Sequence, residues 1–234
     1  MNCVVLQPSY VPWRGFFHLI QRADVFVFYD DVQYDKHGWR NRNRIKTAAG
    51  TQWLTIPVLA KGNVDSGLPI NEARISRAES WARKHLGSIR QSYGKAPFFA
   101  QYWPLVESFY AQPPELLADF TIETTKKLAE ALGITKTKYL RSSELHVEGA
   151  KNDRLLALLC QVGATHYISG PSAKSYIDAA AFAAANITLE YQVYDYPEYE
   201  QLYPPFDPQV SILDLLFMKG PAAGDWIWGV ETKR

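Results

Sequence analysis

Two short apolar runs rich in β-branched residues, 3–6 and 25–29, stand within the first thirty residues. Between them Phe16, Phe17, Leu19, Ile20 and Ala23 fall at helical spacing. A strand that is apolar at consecutive positions has to be covered on both faces. Two such strands joined by one amphipathic helix make a βαβ unit, whose strands run parallel. A chain that begins this way must supply further strands, and helices for both sides of the sheet.

It does so after a long interruption. Residues 137–141, 165–169 and 188–194 read as three more strands, separated by helices at 153–162 and 179–185. A last helix, 211–218, ends before Gly220. Between the second and third strands, residues 38–46 and 52–58 flank Ala48-Ala49-Gly50-Thr51 as a β-hairpin. Three amphipathic helices follow, with Trp81, His85, Ile89 and Tyr93 marking the first and Tyr102, Trp103, Val106, Phe109 and Tyr110 the second. The third carries Leu117, Phe120, Thr124, Leu128 and Leu132 and is stopped by Gly133. These patterns predict an α/β fold: a mostly parallel, Rossmann-like sheet of about five strands with a β-hairpin and a helical insertion between its halves. Residues 1–234 are expected to form one domain, the insertion covering about 36–135.

Composition removes several classes. Hydrophobic residues are 47% and charged residues 21%, which is globular usage, and the formal net charge is +1. No bulk attraction to an anionic membrane or nucleic acid follows from that balance. Cys3 and Cys160 read as small buried hydrophobes of a reduced compartment. The five histidines lack metal-ligand spacing and CxxC is absent, so no metal is expected. The N-terminal apolar run is too short for a signal peptide, and no run of about 18 apolar residues occurs. The expectation is a cytoplasmic protein without membrane insertion. Nothing in the pattern bears on oligomeric state.

In open parallel sheets, ligands bind beyond the carboxyl ends of the strands, where the strand order reverses. The segments that follow the strands are therefore the candidates. In the first, Gln7, Tyr10 and Trp13 would shape a pocket, Pro8 and Pro12 stiffen the turn, and Gly15 permits close backbone approach. His18, one helical turn further, would point back toward the mouth. The bland alternative is a rigid connection with Trp13 as a core plug. In the second, Asp30 or Asp31 would accept a sugar hydroxyl or act as a general base, with Gln33 nearby. A solvated turn with an aspartate cap explains that pair equally well.

The third is the basic stretch. At period two, Arg40, Arg42, Arg44 and Lys46 share one strand face and Asn41 and Asn43 the other. Guanidinium groups in a row suit phosphate, diphosphate or carboxylate. One short row on a near-neutral chain argues against nucleic acid. In the fourth, Ser169, Gly170, Ser172 and Lys174 would close over a phosphate without Walker spacing, and Ser142 and Ser143 are similarly placed after the third strand of the alternation. Arg83-Lys84-His85 reads as a solvated helix face with His85 partly packed, and 195–205 as a Tyr/Pro-rich lid or partner surface. No Ser-His-Asp constellation and no GxGxxG is present.

Several stretches taken together resemble the WbqC-like family. They are Leu6-Gln7-Pro8-Ser9-Tyr10-Val11-Pro12-Trp13-Arg14-Gly15-Phe16-Phe17, Ala23-Asp24-Val25-Phe26-Val27-Phe28, Asp30-Asp31-Val32-Gln33-Tyr34 and Asn41-Arg42-Asn43-Arg44-Ile45-Lys46. So do Lys84-His85-Leu86, Tyr93-Gly94-Lys95-Ala96-Pro97, Arg141-Ser142-Ser143-Glu144, Ser169-Gly170-Pro171-Ser172-Ala173-Lys174 and Ser211-Ile212-Leu213-Asp214-Leu215-Leu216-Phe217. The likeness covers nearly the whole chain, in order. Leu6 stands where many members carry His, and Tyr196 where a His before the Pro is common.

The resemblance implies an association with gene clusters for O-antigen and other surface polysaccharides. It also implies a transfer step on an activated sugar or its amino-acid decoration, without fixing the reaction, and transfer of an acyl, aminoacyl or nucleotidyl group is the expectation. A looser similarity of layout connects the chain to the HxGH-type nucleotidyltransferases, with Trp13-Arg14-Gly15-Phe16-Phe17-His18 in place of the motif. The expectation is a transferase acting on a nucleotide-activated or phosphorylated metabolite, with a nucleotide or nucleotide sugar as its ligand. A non-catalytic module binding a nucleotide sugar or a partner enzyme stays open beside it.

Overall fold

The computed structural model describes residues 1–59, 67–77, 80–175 and 177–229. Asn2–Leu6 (β1) leads through Arg14–Arg22 (α1) to Val25–Phe28 (β2). Arg42–Thr47 (β3) and Gly50–Thr55 (β4) form an antiparallel hairpin. Trp81–Tyr93 (α2), Phe99–Ala111 (α3) and Leu117–Ala131 (α4) follow. The alternation resumes with Lys138–Arg141 (β5), Ser142–Leu145 (α5), Lys151–Gln161 (α6), His166–Ser169 (β6), Ala179–Ala184 (α7) and Thr188–Tyr191 (β7). Ile212–Lys219 (α8) and Asp225–Trp228 (α9) close the described chain.

The main sheet has the order β5-β2-β1-β6-β7, and every neighbouring pair is parallel. The chain starts at the centre, adds β2 and β5 on one side, then returns past β1 to add β6 and β7 on the other. The strand order thus reverses between β1 and β6.

Continuous apolar runs are required because each strand serves two cores. Val4, Phe26 and Phe28 face α1, which contributes Phe16, Phe17, Leu19 and Ile20. Cys3, Val5, Val25 and Val27 face the other side, where α6 lays down Leu155, Leu158 and Leu159 and α7 adds Phe182. Residues one apart point to opposite faces of a strand, so both sides take part of the same short run. The first core continues into the hairpin through Ile45 and Leu54 and into α2, α3, α4 and α8.

Some local expectations are corrected. Residues 38–41 are turn and bend, not strand, because their backbone serves the N-terminal loop: the Trp39 carbonyl accepts from Tyr10 N at 3.2 Å. The last strand stops at Tyr191, short of Tyr194, whose ring packs edge-on against Trp13 instead. Cys160 is exposed, whereas Cys3 is buried. Leu155, Leu158 and Leu159 take the buried stripe of α6 at i, i+3 and i+4, which turns Cys160 outward. The four-residue helices α5 and α9 are too short to leave a periodic signal.

Candidate functional site

β1 and β6 pair only at Asn2↔His166 and Cys3↔Tyr167, whereas β1 and β2 stay in register through Leu6↔Phe28. Beyond Cys3 the two central strands therefore part. A cavity of about 1010 Å³ opens there, with Leu6 and Gln7 on one lip and Tyr167, Gly170 and Ser172 on the other. This is the reversal of strand order, where an open α/β sheet leaves room for a ligand. Phe16 and Leu19 of α1 reach it from one side of the sheet, and Lys151, Asn152 and Leu155 of α6 from the other.

The β1–α1 loop is held from beneath by the hairpin. Asn43 Nδ2 donates to the carbonyls of Tyr10 at 3.0 Å and Val11 at 2.9 Å. Between them Val11 adopts φ 34°, a left-handed conformation that costs a β-branched residue about 1–3 kcal/mol. Two buried hydrogen bonds, each contributing about 1 kcal/mol, offset a strain of that size. The loop then presents Trp13 to the cavity, its ring 4.9 Å from that of Tyr194 in edge contact. Gly15 makes this possible, since a Cβ there would fall 2.4 Å from Trp13 Cζ2. The close approach expected at Gly15 is thus made by the protein's own indole.

Arg40 contributes the wall's guanidinium. Its Nη1 donates to the Gln7 carbonyl at 3.2 Å. Its Nε is buried and has no hydrogen-bond partner among the described residues. Burial lowers its pKa to about 10, against the opposing pull of Asp35. Lys151 supplies a second cation and Trp39 a third aromatic face. Lys151 opens α6 behind an Ala150 N-cap that makes no side-chain hydrogen bond.

Of the residues expected at the site, Gln7, Trp13, Arg40, Asn43, Gly170 and Ser172 line the cavity. The others do not. Tyr10 is fully buried, its hydroxyl 2.9 Å from His85 Nδ1 and 2.5 Å from the Tyr110 hydroxyl. His85 is accordingly a core residue, packed more fully than expected, while Arg83 and Lys84 of the same turn are exposed. His18 turns away from the mouth to Tyr196 (3.0 Å) and Gln192 (3.2 Å). Burial first, and Arg22 second, lower its pKa to about 4. Asp30 accepts from Arg141 Nε at 2.7 Å and from Ser143 N and Oγ at 3.1 and 3.0 Å. Asp31 accepts from Ser142 Oγ at 2.6 Å and Arg154 at 2.5 Å. Ser142 and Ser143 are therefore partners of the two carboxylates.

Gln33 is exposed and bridges Pro69 through the backbone. Asn41 Nδ2 donates to the Ile56 carbonyl at 2.8 Å. Arg42 and Arg44 stack on Trp53. Lys46 is buried, its ammonium on the Pro205 carbonyl. Ser169 is buried and pairs through its carbonyl with Gln192 N. Lys174 sits 5.2 Å from the Tyr191 ring centre. Lys151, Asn152 and Tyr194 were not anticipated on the wall. Gly149, with φ 109°, marks the sharp turn that delivers Lys151 and Asn152, and a glycine just ahead of a helix start was the available signal.

Among the described residues no group of three or more His, Cys, Asp or Glu is placed to hold a metal ion. No helix among them is long and apolar enough to cross a membrane.

The family model of the WbqC-like protein family matches residues 7–225. This chain belongs to that family. A Mycobacterium tuberculosis (strain ATCC 25618 / H37Rv) protein named "Uncharacterized protein Rv1507c" is similar to it. The two are 39% identical over 225 residues, covering 95% of this chain and 96% of the relative. No solved structure matches significantly. The cavity walls from Gln7 onward lie within the residues matched to the WbqC-like family. Leu6 is on the wall. Tyr196 is the hydrogen-bond partner of His18.

Proposed function

We propose that this WbqC-like protein is a cytoplasmic transferase that takes a nucleotide-activated or phosphorylated metabolite of surface-polysaccharide biosynthesis into the β1–β6 crevice. The observation that carries the reading is Arg40: a guanidinium in the cavity wall, hydrogen-bonded there to a carbonyl and left with an unpartnered Nε. A half-buried cation with a buried, unpartnered Nε gains most from an anion, and a guanidinium donates two parallel hydrogen bonds to a phosphate. Lys151 adds charge, while Trp13, Trp39 and Tyr194 offer faces on which a base or sugar can stack. The polysaccharide setting follows from the gene-cluster association that the family resemblance implies. Donors held in place at such a site contribute about 10² to 10³ in rate each where charge develops in the transition state.

One observation favours a second reading, a binding module without chemistry. No His, Asp, Glu or Cys lines the cavity among the described residues, and Asp30 and Asp31 are engaged by Arg141 and Arg154. A thermal-shift screen of nucleoside mono- and diphosphates and nucleotide sugars tests both. A ligand at 100 times its Kd adds about 2.7 kcal/mol. Silence across the screen sinks the crevice reading. Binding without turnover over acyl, aminoacyl and sugar donors favours the module.

A further inference from the structure

The basic row of β3 did not join the crevice, and its surroundings point to a different ligand. The hairpin register pairs Arg44 with Trp53 and Arg42 with Thr55, so Arg42, Arg44 and Trp53 share the outer face. Asn43, Ile45 and Leu54 face inward and are buried. Trp53 is 45% exposed and Trp39, from the bend before β3, 39%. Their indoles lie 5.2 Å apart at 37°. The Arg42 guanidinium is 4.5 Å from the Trp53 ring centre, and that of Arg44 is 5.6 Å from Trp53 and 5.8 Å from Trp39.

Among the described residues neither arginine pairs with a carboxylate. Arg42 donates to the His37 carbonyl and Arg44 to the backbone and side-chain oxygens of Gln209 at 3.0 and 2.8 Å. Among the same described residues the Nε of each has no hydrogen-bond partner.

We infer that this outer hairpin face is a second binding site, one that takes an anionic sugar. An exposed indole pair leaves apolar ring surface in water, which a sugar's apolar face can cover. Guanidinium groups held over indoles keep their remaining N–H groups for a carboxylate or phosphate. The patch is one hairpin wide, small for a protein interface, and is continuous with the crevice because Trp39 and Gln209 line that cavity as well. A ligand on the patch therefore lies beside whatever fills the crevice. Resting on the transferase reading, the patch is the acceptor subsite and the crevice the donor subsite.

The test is a titration of the whole protein, read on the indole N–H signals of Trp39 and Trp53, each assigned with its Trp→Phe variant. Glucuronate and glucose 6-phosphate separate carboxylate from phosphate, and neutral glucose is the control. At least one of the anions is expected to shift both signals saturably, with a Kd on the order of a millimolar for so small a ligand. Glucose at the same concentration should leave them in place. The double variant Arg42→Gln/Arg44→Gln should weaken the anion by about tenfold or more. Unshifted signals from buried Trp81 and Trp103 will show that it is folded.

Stabilisation by UDP should be the same in this variant as in the wild type. Its loss would merge the patch with the crevice and overturn a second site. Indoles that ignore both anions, answer glucose as strongly, or shift with protein concentration alone would overturn it too, the last in favour of a second copy. If no nucleotide or nucleotide sugar of the screen stabilises the wild type while the anion still shifts the indoles, the transferase reading fails and the sugar site stands.

Discussion

The corner after β2 and β5 and the crevice after β1 and β6 occupy the same edge of one sheet, yet they treat charge in opposite ways. In the corner, Asp30 is fully buried and faces Arg141, which also holds Asp119 at 2.7 Å. Asp31 faces Arg154 in the same fashion. Positive and negative groups match within the fold. In the crevice, Arg40 has a carbonyl and a distant Asp35, and Lys151 stands at an uncapped helix start. The lesson is that carboxyl-end position alone does not make a site. What separates the two is whether the protein answers its own charges.

The corner should break hardest. Asp30→Ala leaves the Arg141 guanidinium part-buried beside an emptied acceptor cluster. Removing one partner of a buried pair costs about 3–5 kcal/mol where the other charge is left alone. Asp119 still holds Arg141 here, so a loss of about 2–3 kcal/mol is expected, read by urea denaturation. A loss below about 1 kcal/mol would mean that the corner is not the structural element described. An Asp30 variant of normal stability that no longer binds UDP would exchange the roles of the two regions.

Arg40 sharpens the contrast from the other side. Arg40→Gln gives up one hydrogen bond to the Gln7 carbonyl and relieves a half-buried charge, so stability should move by no more than about 1 kcal/mol. Affinity for UDP should fall by tenfold or more, since hydrogen bonds to charged groups contribute about 1.5–3 kcal/mol. Calorimetry on the two proteins decides. Equal affinities would remove the main support for an anion in the crevice.

These contrasts also show what could be read in advance. Apolar runs, helical stripes and the hairpin turn are local, so the parallel sheet and the chain's interruption were legible. The place of the cavity followed from them, because strand order and the carboxyl-end rule are consequences of topology. Its contents were legible only in part: Gln7, Trp13, Arg40, Asn43, Gly170 and Ser172 reach the wall, whereas the engagement of the carboxylates elsewhere could not be read. Asp30 meets Arg141 across 111 residues, and Asp31 meets Arg154 across 123. Before those arginines are placed, a buried ion pair and a catalytic carboxylate have the same sequence. Tyr10 looked like a pocket residue for the same reason: its hydroxyl finds His85 from 75 residues away. The face shared by Arg42 and Arg44 was visible from period two, whereas Trp53 beneath them comes only from the register of β4.

Acid separates the buried groups further. His85 is held neutral by burial, its pKa lowered to about 4 despite a bond to the Thr55 backbone. Unfolded, it takes a proton near pH 6.5. Its contribution is therefore complete above 6.5 and is lost as the pH falls toward 4. The slope is about 1.4 kcal/mol per pH unit for one proton. His85→Gln should flatten the stability profile by that amount in this window, measured by urea midpoints from pH 7 to 4. An unchanged slope would mean that His85 charges in place. Asp214 carries the opposite sign. It is buried among the neutral donors Tyr199, Gln201 and Tyr93, and burial raises its pKa against the opposing pull of these donors and of Lys46. Its protonated form suits the fold, so stability is lost as the pH rises through the folded value, and Asp214→Asn should be the more stable protein at pH 8. Asp30 has Arg141 where Asp214 has only neutral donors, and an amide at Asp30 should be destabilising.

The smallest effect falls within the crevice. Gly15→Ala adds a methyl 2.4 Å from the Trp13 ring, so the indole has to move off its seat against Tyr194. Overpacking costs about 1–3 kcal/mol. Alanine returns up to about 1 kcal/mol in helix propensity, and less here because Gly15 is the second residue of α1. The overpacking wins, for a net loss near 1 kcal/mol. The useful comparison is with Ser142→Ala, which removes the hydroxyl between Asp30 and Asp31 at a similar cost of about 1–2 kcal/mol. Two variants of matched stability then differ in one respect. UDP binding should weaken in Gly15→Ala, where the crevice wall has shifted, and hold in Ser142→Ala, where only the closed corner is touched. Equal losses of binding would mean that general loosening, not the position of Trp13, governs the crevice.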